Sequence, residues 1–311
     1  MTGAALPTSR GPRMSDVRVL RVRPRAALAL VLASVGGLLA FCWPLLVDPG
    51  AVLESTSAPL VFALLLPVLL GVVLAEMSDG GMDTKALAML GVLSALGAAL
   101  RPLGAGTAGV ETVFFLIVLG GRVFGPGFGF VLGATTLFSS ALLTGGVGPW
   151  LPFQMLGAAW VGLGAGLLPR VRGRLELVVL GVYAALASLL FGVLLNLSFW
   201  PFALGSSNQL SFDATQSTTE NLHAFFLFTL ATSLGWDVGR AMTTVVLVLL
   251  AGPAVLAALR RASRRAAFEA PVEFAGAGGS SARAGAGLLA VPAEVHVVLA
   301  AAPGAAPLPA D

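Results

Sequence analysis

Apolar residues along this chain come in blocks of roughly 15 to 25, each closed by charge, glycine or proline. The blocks show neither the alternation of a half-buried strand nor the single stripe of a water-facing helix. A bilayer core about 30 Å thick takes about 20 helical residues at 1.5 Å each, so blocks of this size predict membrane-spanning helices. About eight are expected, over 25–47, 58–76, 86–100, 110–124, 127–144, 150–168, 175–200 and 236–259. Pro67 falls inside the second and predicts a kink. The fourth is unusually short, and the run 222–259 is too long for one crossing, so 222–234 is expected as a short helix tucked into the outer half. The fold class that follows is all-α, a polytopic transmembrane helical bundle.

The arginines give this bundle an orientation, because short cytoplasmic loops collect Lys and Arg. Arg10, Arg13, Arg18, Arg21, Arg23 and Arg25 precede the first span, Lys85 the third and Arg122 the fifth. Arg170, Arg172 and Arg174 precede the seventh, and Arg260, Arg261, Arg264 and Arg265 follow the last. Both termini are therefore expected in the cytoplasm, with Arg101 as the basic exception outside. The first apolar run has the basic flank of a signal peptide, but it is longer than a signal core and is read as a span. The chain then divides into a basic cytoplasmic segment (1–24), two additional transmembrane helices (25–84), a six-helix membrane core (85–265) and an Ala/Gly/Pro-rich tail (266–311) expected to be disordered.

Composition agrees with the pattern. Apolar residues make up 57% of the 311 and charged ones 11%, a balance that leaves no water-facing surface for a soluble globule. The sequence pI of about 10 would point to nucleic acid in a soluble protein. Here the arginines cluster at helix ends, where anionic lipid accounts for them, and nucleic acid is excluded as a partner. Cys42 is the single cysteine, so the chain offers neither an intramolecular disulfide nor a thiolate metal cluster.

Within lipid, helices associate through close packing of small residues, so such residues mark contacts. Ala88, Gly91, Ala95 and Ala99 form one smooth stripe; Gly125, Gly129 and Gly133 form a second; Gly157, Gly162, Gly164 and Gly166 form a looser third. Each stripe serves either packing within the chain or a groove for a separate membrane subunit. Gly145, Gly146, Gly148 and Pro149 break the helix at the outer face, either as a tight turn before a belt tryptophan or as a loop closing over a ligand.

The phrases "KALAMLGVLSALGAALRPLG", "LGGRVFGPGFGFVLGATTLFSSALLTGGVGPW" and "TSLGWDVGRAMTTVVLVLL" resemble the substrate-specific (S) component of energy-coupling factor (ECF) vitamin transporters, in its actinobacterial form. The likeness covers about residues 85–265 and rests on the order of short glycine-rich spans. It implies a protein of the bacterial cytoplasmic membrane that binds a micronutrient at the outer face. It further implies docking on a transmembrane coupling (T) subunit driven by two cytoplasmic ATPases; the solitary S subunit is thought to topple in the membrane. Such proteins are not enzymes, and ATP is hydrolysed by the partners, with no cofactor in this chain. The resemblance places the coupling-subunit face on Ala88, Gly91, Ala95 and Ala99, although Gly91 and Val92 depart from a pure AxxxA pattern. It places the ligand under the loops 101–109, which contains Thr107, 145–149 and 201–221. A vitamin-type small molecule is implied, with a cobalamin-like ligand as the first expectation.

A charge at bilayer mid-depth costs about 2.5 to 3.5 kcal/mol, so each polar residue near a span needs a reason. Glu111 and Arg101 can pair with each other or face the ligand. Gln154 and Asn196 can bond ligand or a neighbouring helix. Trp150, Trp200 and Trp236 share the outer level, where indoles either stack on a flat ligand or sit among headgroups. His223 has no second histidine or cysteine beside it, which leaves a metal without support. Asp237 and Arg240, three apart on one helix face, can pair with each other, the favoured reading, or contact the ligand. The substrate-binding candidates are thus Arg101, Thr107, Glu111, Trp150, Gln154, Asn196, Trp200, His223 and Trp236.

No P-loop, HExxH or GxSxG motif stands in the sequence. Energy must come from a partner or from an ion gradient, which leaves an importer subunit or a self-contained ion-coupled secondary transporter. The second usually carries inverted repeats and ionisable groups at mid-membrane; no convincing repeat is present here. A lipid-acting enzyme ranks third, since Asp79 and Asp83, the nearest approach to paired carboxylates, lie in a polar loop.

Overall fold

The apolar runs form helices, and the breaks between them fall at glycine, proline and charge. The computed structural model describes residues 24–46, 58–78, 84–104, 109–204, 208–213 and 215–268. The helices are α1 (Pro24–Leu46), α2 (Ala58–Ser78), α3 (Thr84–Leu100), α4 (Val113–Phe124), α5 (Pro126–Thr144), α6 (Leu151–Leu167), α7 (Arg174–Ala203), α8 (Thr218–Thr232), α9 (Leu234–Leu250) and α10 (Gly252–Phe268). A 3-10 turn, Arg101–Leu103, extends α3, and no strand occurs among the described residues. Thr107, the basic segment 1–23 and the tail after Phe268 lie outside them.

Helices of 22, 20, 19 and 30 residues, beginning at Pro24, Thr84, Pro126 and Arg174, are long and apolar enough to cross a membrane. The stretch 65–75, α4 and α6 are shorter apolar helices. Two expectations change. The run 236–259 is not one helix: it breaks at Ala251, and Gly252–Pro253 starts α10. Proline lacks an N–H and suits a first helical turn, so it stops α9 and starts α10. The short helix expected over 222–234 is α8, which joins α9 through a bend of 60°, and the pair together has the apolarity of one broken span.

α4 is the axis of the bundle. Every residue from Val113 to Gly121 is buried, as expected of a helix apolar on all sides. α3, α5, α6, α7, α9 and α10 all pack on it. At 12 residues it is about 18 Å long, shorter than the hydrocarbon core, so both its ends lie inside protein and bring polar groups with them. Glu111 and Thr112 precede its first turn, and Arg122 lies in its last.

Around this axis the glycine stripes have different fates. Gly129 and Gly133 of the second and Gly162 of the third hold α5 against α6, while Gly157 and Gly164 make room for Phe191 and Tyr183 of α7. A Cβ added at Gly129 or Gly162 would strike the other's backbone carbonyl, and one at Gly133 would strike that of Ala158. Gly164 gives way to the Tyr183 hydroxyl, which donates to the Val161 carbonyl at 2.6 Å. Both stripes therefore serve packing within the chain. The first does not. α3 turns Ala86, Leu90, Leu93, Ser94, Gly97 and Ala98 inward, while Ala88, Gly91, Ala95 and Ala99 are exposed.

The additional helices lie on another flank, with α1 packed on α6 and α7 and α2 on α1 and α6. Phe41 meets the Phe153 ring edge-on at 4.9 Å, and Trp160 Nε1 donates to Ser34 Oγ at 3.0 Å.

Candidate functional site

Glu111 stands just before α4, where a helix N-terminus favours a carboxylate. Thr112 Oγ1 donates to the Leu100 carbonyl at 2.8 Å, which ties the entry of α4 to the end of α3 and brings Arg101 alongside. Arg101 Nε lies 3.7 Å from Glu111 Oε1, and its Nη2 donates to Gln154 Oε1 at 3.2 Å. The other oxygen of Glu111 accepts from Arg240 Nε. Arg240 also donates to Asp237 Oδ1 at 2.7 Å and to the Ser188 carbonyl at 3.3 Å. Its guanidinium lies over the rings of Phe191 and Phe114, at 5.2 and 5.9 Å. Two cations and two anions thus form one network joining α3, α4, α6, α7 and α9.

This network floors a cavity of about 350 Å³ lined by Arg101, Pro102, Gly104, Gly109, Val110, Glu111, Ser140, Thr144, Gly146, Trp150, Gln154, Trp236 and Arg240. Two glycines let its walls approach. Gly109 has φ +78°, open to few side chains, and a Cβ there would strike the Trp236 backbone; one at Gly104 would strike that of Val110. Gly145, at φ +67°, ends α5 and begins the turn before Trp150. Trp150 Nε1 donates back to the Gly146 carbonyl at 3.2 Å. Trp150 and Trp236 are each about half exposed.

Arg101, Glu111, Trp150, Gln154 and Trp236, drawn from three separate stretches of the chain, meet in this one cavity. Asn196, Trp200 and His223 do not line it. Asn196 Oδ1 accepts from Ser233 Oγ at 3.0 Å, a bond between α7 and the α8–α9 junction. Trp200 is wholly buried instead of sitting at a headgroup belt; it packs on Phe212 and Phe225 and donates to the Leu210 carbonyl at 2.6 Å. His223 is exposed on α8, and no group of three metal-ligating residues occurs among the described residues. The described part of the loop 201–221 is a self-contained cap. Ser217 and Glu220 form a capping box on α8, and Asn221 bridges to Asp213. The Thr215 hydroxyl and N–H both donate to Asp213, which holds its exposed carboxyl below the usual range.

The sequence offers Arg240 as a local partner of Asp237 or a ligand contact; the structure shows the pair and puts Arg240 in the cavity lining, where it also binds Glu111, a partner that sequence reasoning missed. The pairing with Glu111 spans 129 residues and leaves no local trace. A lone arginine in an apolar helix, which must find partners, was the usable signal. Ser140 and Thr144, one turn apart at the end of α5, also escaped notice, though a small polar face there was readable.

A second charged cluster lies at the other end of α4. Arg122 donates to Glu176 at 2.8 Å and to the carbonyls of Leu168, Pro169 and Val171; Arg260 of α10 donates to the same Glu176 oxygen at 2.6 Å.

The family model described as "ECF transporter, substrate-specific component" matches residues 85–251, more than half of the chain. The chain belongs to this family. None of the curated proteins and none of the solved structures gives a significant match to it. The matched S-component region begins at Lys85 and ends at Ala251, the residue after α9, so it contains the whole cavity and leaves α1, α2 and α10 outside. Membership makes the chain a substrate-binding membrane subunit of an ECF transporter, and it implies association with T and ATPase subunits.

Proposed function

We propose that this S component captures a small water-soluble, vitamin-type micronutrient from outside a bacterial cytoplasmic membrane and passes it inward with a T subunit and two ATPases. The cavity over α4 is the ligand site in this reading, with Arg101, Glu111, Trp150, Gln154 and Trp236 as contacts. The observation that carries it is the convergence of three sequence stretches, 101–111, 140–154 and 236–240, on one cavity lined by charged side chains and two tryptophans inside the matched region. Its volume, about 350 Å³, is at the small end of the usual range of about 300–1,000 Å³. That supports a compact solute; a cobalamin-like ligand would leave most of its bulk above the rim.

The arginine distribution supports about eight crossings with both termini cytoplasmic and the cavity on the outer side. Ala88, Gly91, Ala95 and Ala99 on the exposed face of α3 are the proposed coupling-subunit contact, and no atom lies within 4 Å of a Cβ built at Gly91.

Co-expression with the T subunit and ATPases tests both parts. The complex is expected to co-purify and to take up ligand with ATP; Gly91→Leu or Ala95→Leu is expected to abolish co-purification while the variant stays folded. Solute movement down an ion gradient by the purified chain alone in liposomes would instead establish a self-contained secondary transporter.

A further inference from the structure

Resting on the assignment of this cavity as the ligand site, we propose that its solute is a small monocarboxylate with a flat apolar body, its carboxylate held by Arg101. The charges of Arg101, Arg240, Glu111 and Asp237 cancel, so net field alone does not select an anion. Unspent hydrogen-bond capacity does. Glu111 is engaged on one oxygen by Arg240 and faces Arg101 with the other, which leaves it little attraction for a cation. Arg101 carries five N–H donors and makes one side-chain hydrogen bond, to Gln154, among the described residues. The Ser140 hydroxyl, wholly buried among the residues that line the cavity, has no partner among the described residues.

The wall therefore presents the guanidinium donors of Arg101, the complement of a carboxylate's two oxygens. A dianion such as a phosphate monoester would bring two charges to a network already neutral and is disfavoured. A cation would have to approach a guanidinium. In the same lining, the half-exposed Trp150 and Trp236 offer indole surface to a planar body, and the volume limits its size.

The test uses the full-length protein in lipid nanodiscs and thermal-shift titration with matched pairs: benzoate and benzamide, nicotinate and nicotinamide, indole-3-acetate and indole-3-acetamide, with tryptamine as an aromatic cation. At least one acid is expected to bind about tenfold or more tightly than its amide, the effect of one charge-assisted hydrogen bond. Arg101→Gln is expected to erase that preference and Arg101→Lys to keep part of it. Retained co-purification with the T subunit shows that the variants are folded. Amides or tryptamine binding as well as the acids, acids binding Arg101→Gln undiminished, or no acid binding would each overturn the proposal. Native mass spectrometry of the extracted protein separates that failure from a failure of the site itself: a bound solute of another class leaves the importer reading standing, and an empty cavity does not.

Discussion

At the residue scale, identical glycines do opposite work, and the difference lies in what a methyl group would meet. At Gly162 it meets the backbone of Gly129, which cannot move without parting α5 from α6. At Gly91 it meets open space. Gly162→Ala is therefore expected to cost about 1–3 kcal/mol through overpacking, and Gly91→Ala to fall within about 0.5 kcal/mol of the parent. Thermal melts in one detergent read both, and equal losses would contradict the packing described here. The same contrast explains what was legible. The stripes themselves stand in the sequence, because spacing alone puts small residues on one face. Which stripe is covered depends on the partner helix, and no single helix's pattern carries that. Arg240 fails for the same reason: its local partner Asp237 was readable, whereas Glu111 comes near only through the crossing of α4 and α9.

At the scale of elements, α4 determines where charge can sit. Its shortness places Glu111 and Arg122 at opposite ends of a buried rod about 18 Å long, each forced to find partners inside protein. Helix positions and most boundaries were readable from apolar run length and punctuation. The centrality of α4 was readable only as an oddity of length, since a 12-residue apolar run does not say that it is buried on all sides. The cluster at the Arg122 end gives a direct test. The Arg122 and Glu176 side chains are 7% and 4% exposed, and removing the carboxylate leaves the buried Arg122 guanidinium without its charge partner. Glu176→Gln is expected to destabilise the bundle by about 3–5 kcal/mol, read as a lowered melting temperature. Arg260→Gln, at the more exposed partner, is expected to cost less, about 1 kcal/mol or under. A neutral Glu176→Gln would show that the cluster holds nothing together.

At the scale of the whole molecule, the flanks of the bundle have different tasks. α3 packs on α4 and α5 and shows a face of small side chains outward, while α1 and α2 pack on the side of α6 and α7. The outer face of α1 is of another kind, carrying the large side chains of Leu28, Val31, Leu32, Val35 and Leu39. Large apolar chains suit lipid tails, whereas a face of alanine and glycine lets another helix backbone come close. The C-terminal end of α1 also reaches the segment between α7 and α8, where Trp43 stacks on Phe202 with ring centroids 5.8 Å apart and lies 6.1 Å from Phe212. The additional helices therefore brace the bundle away from the proposed coupling face. Leu32→Trp and Val35→Trp are then expected to leave co-purification with the T subunit unchanged, under conditions where Gly91→Leu abolishes it. Loss of the complex in the α1 variants, with the melting temperature preserved, would place the T subunit on the α1–α2 flank and turn the two additional helices from a brace into the docking surface.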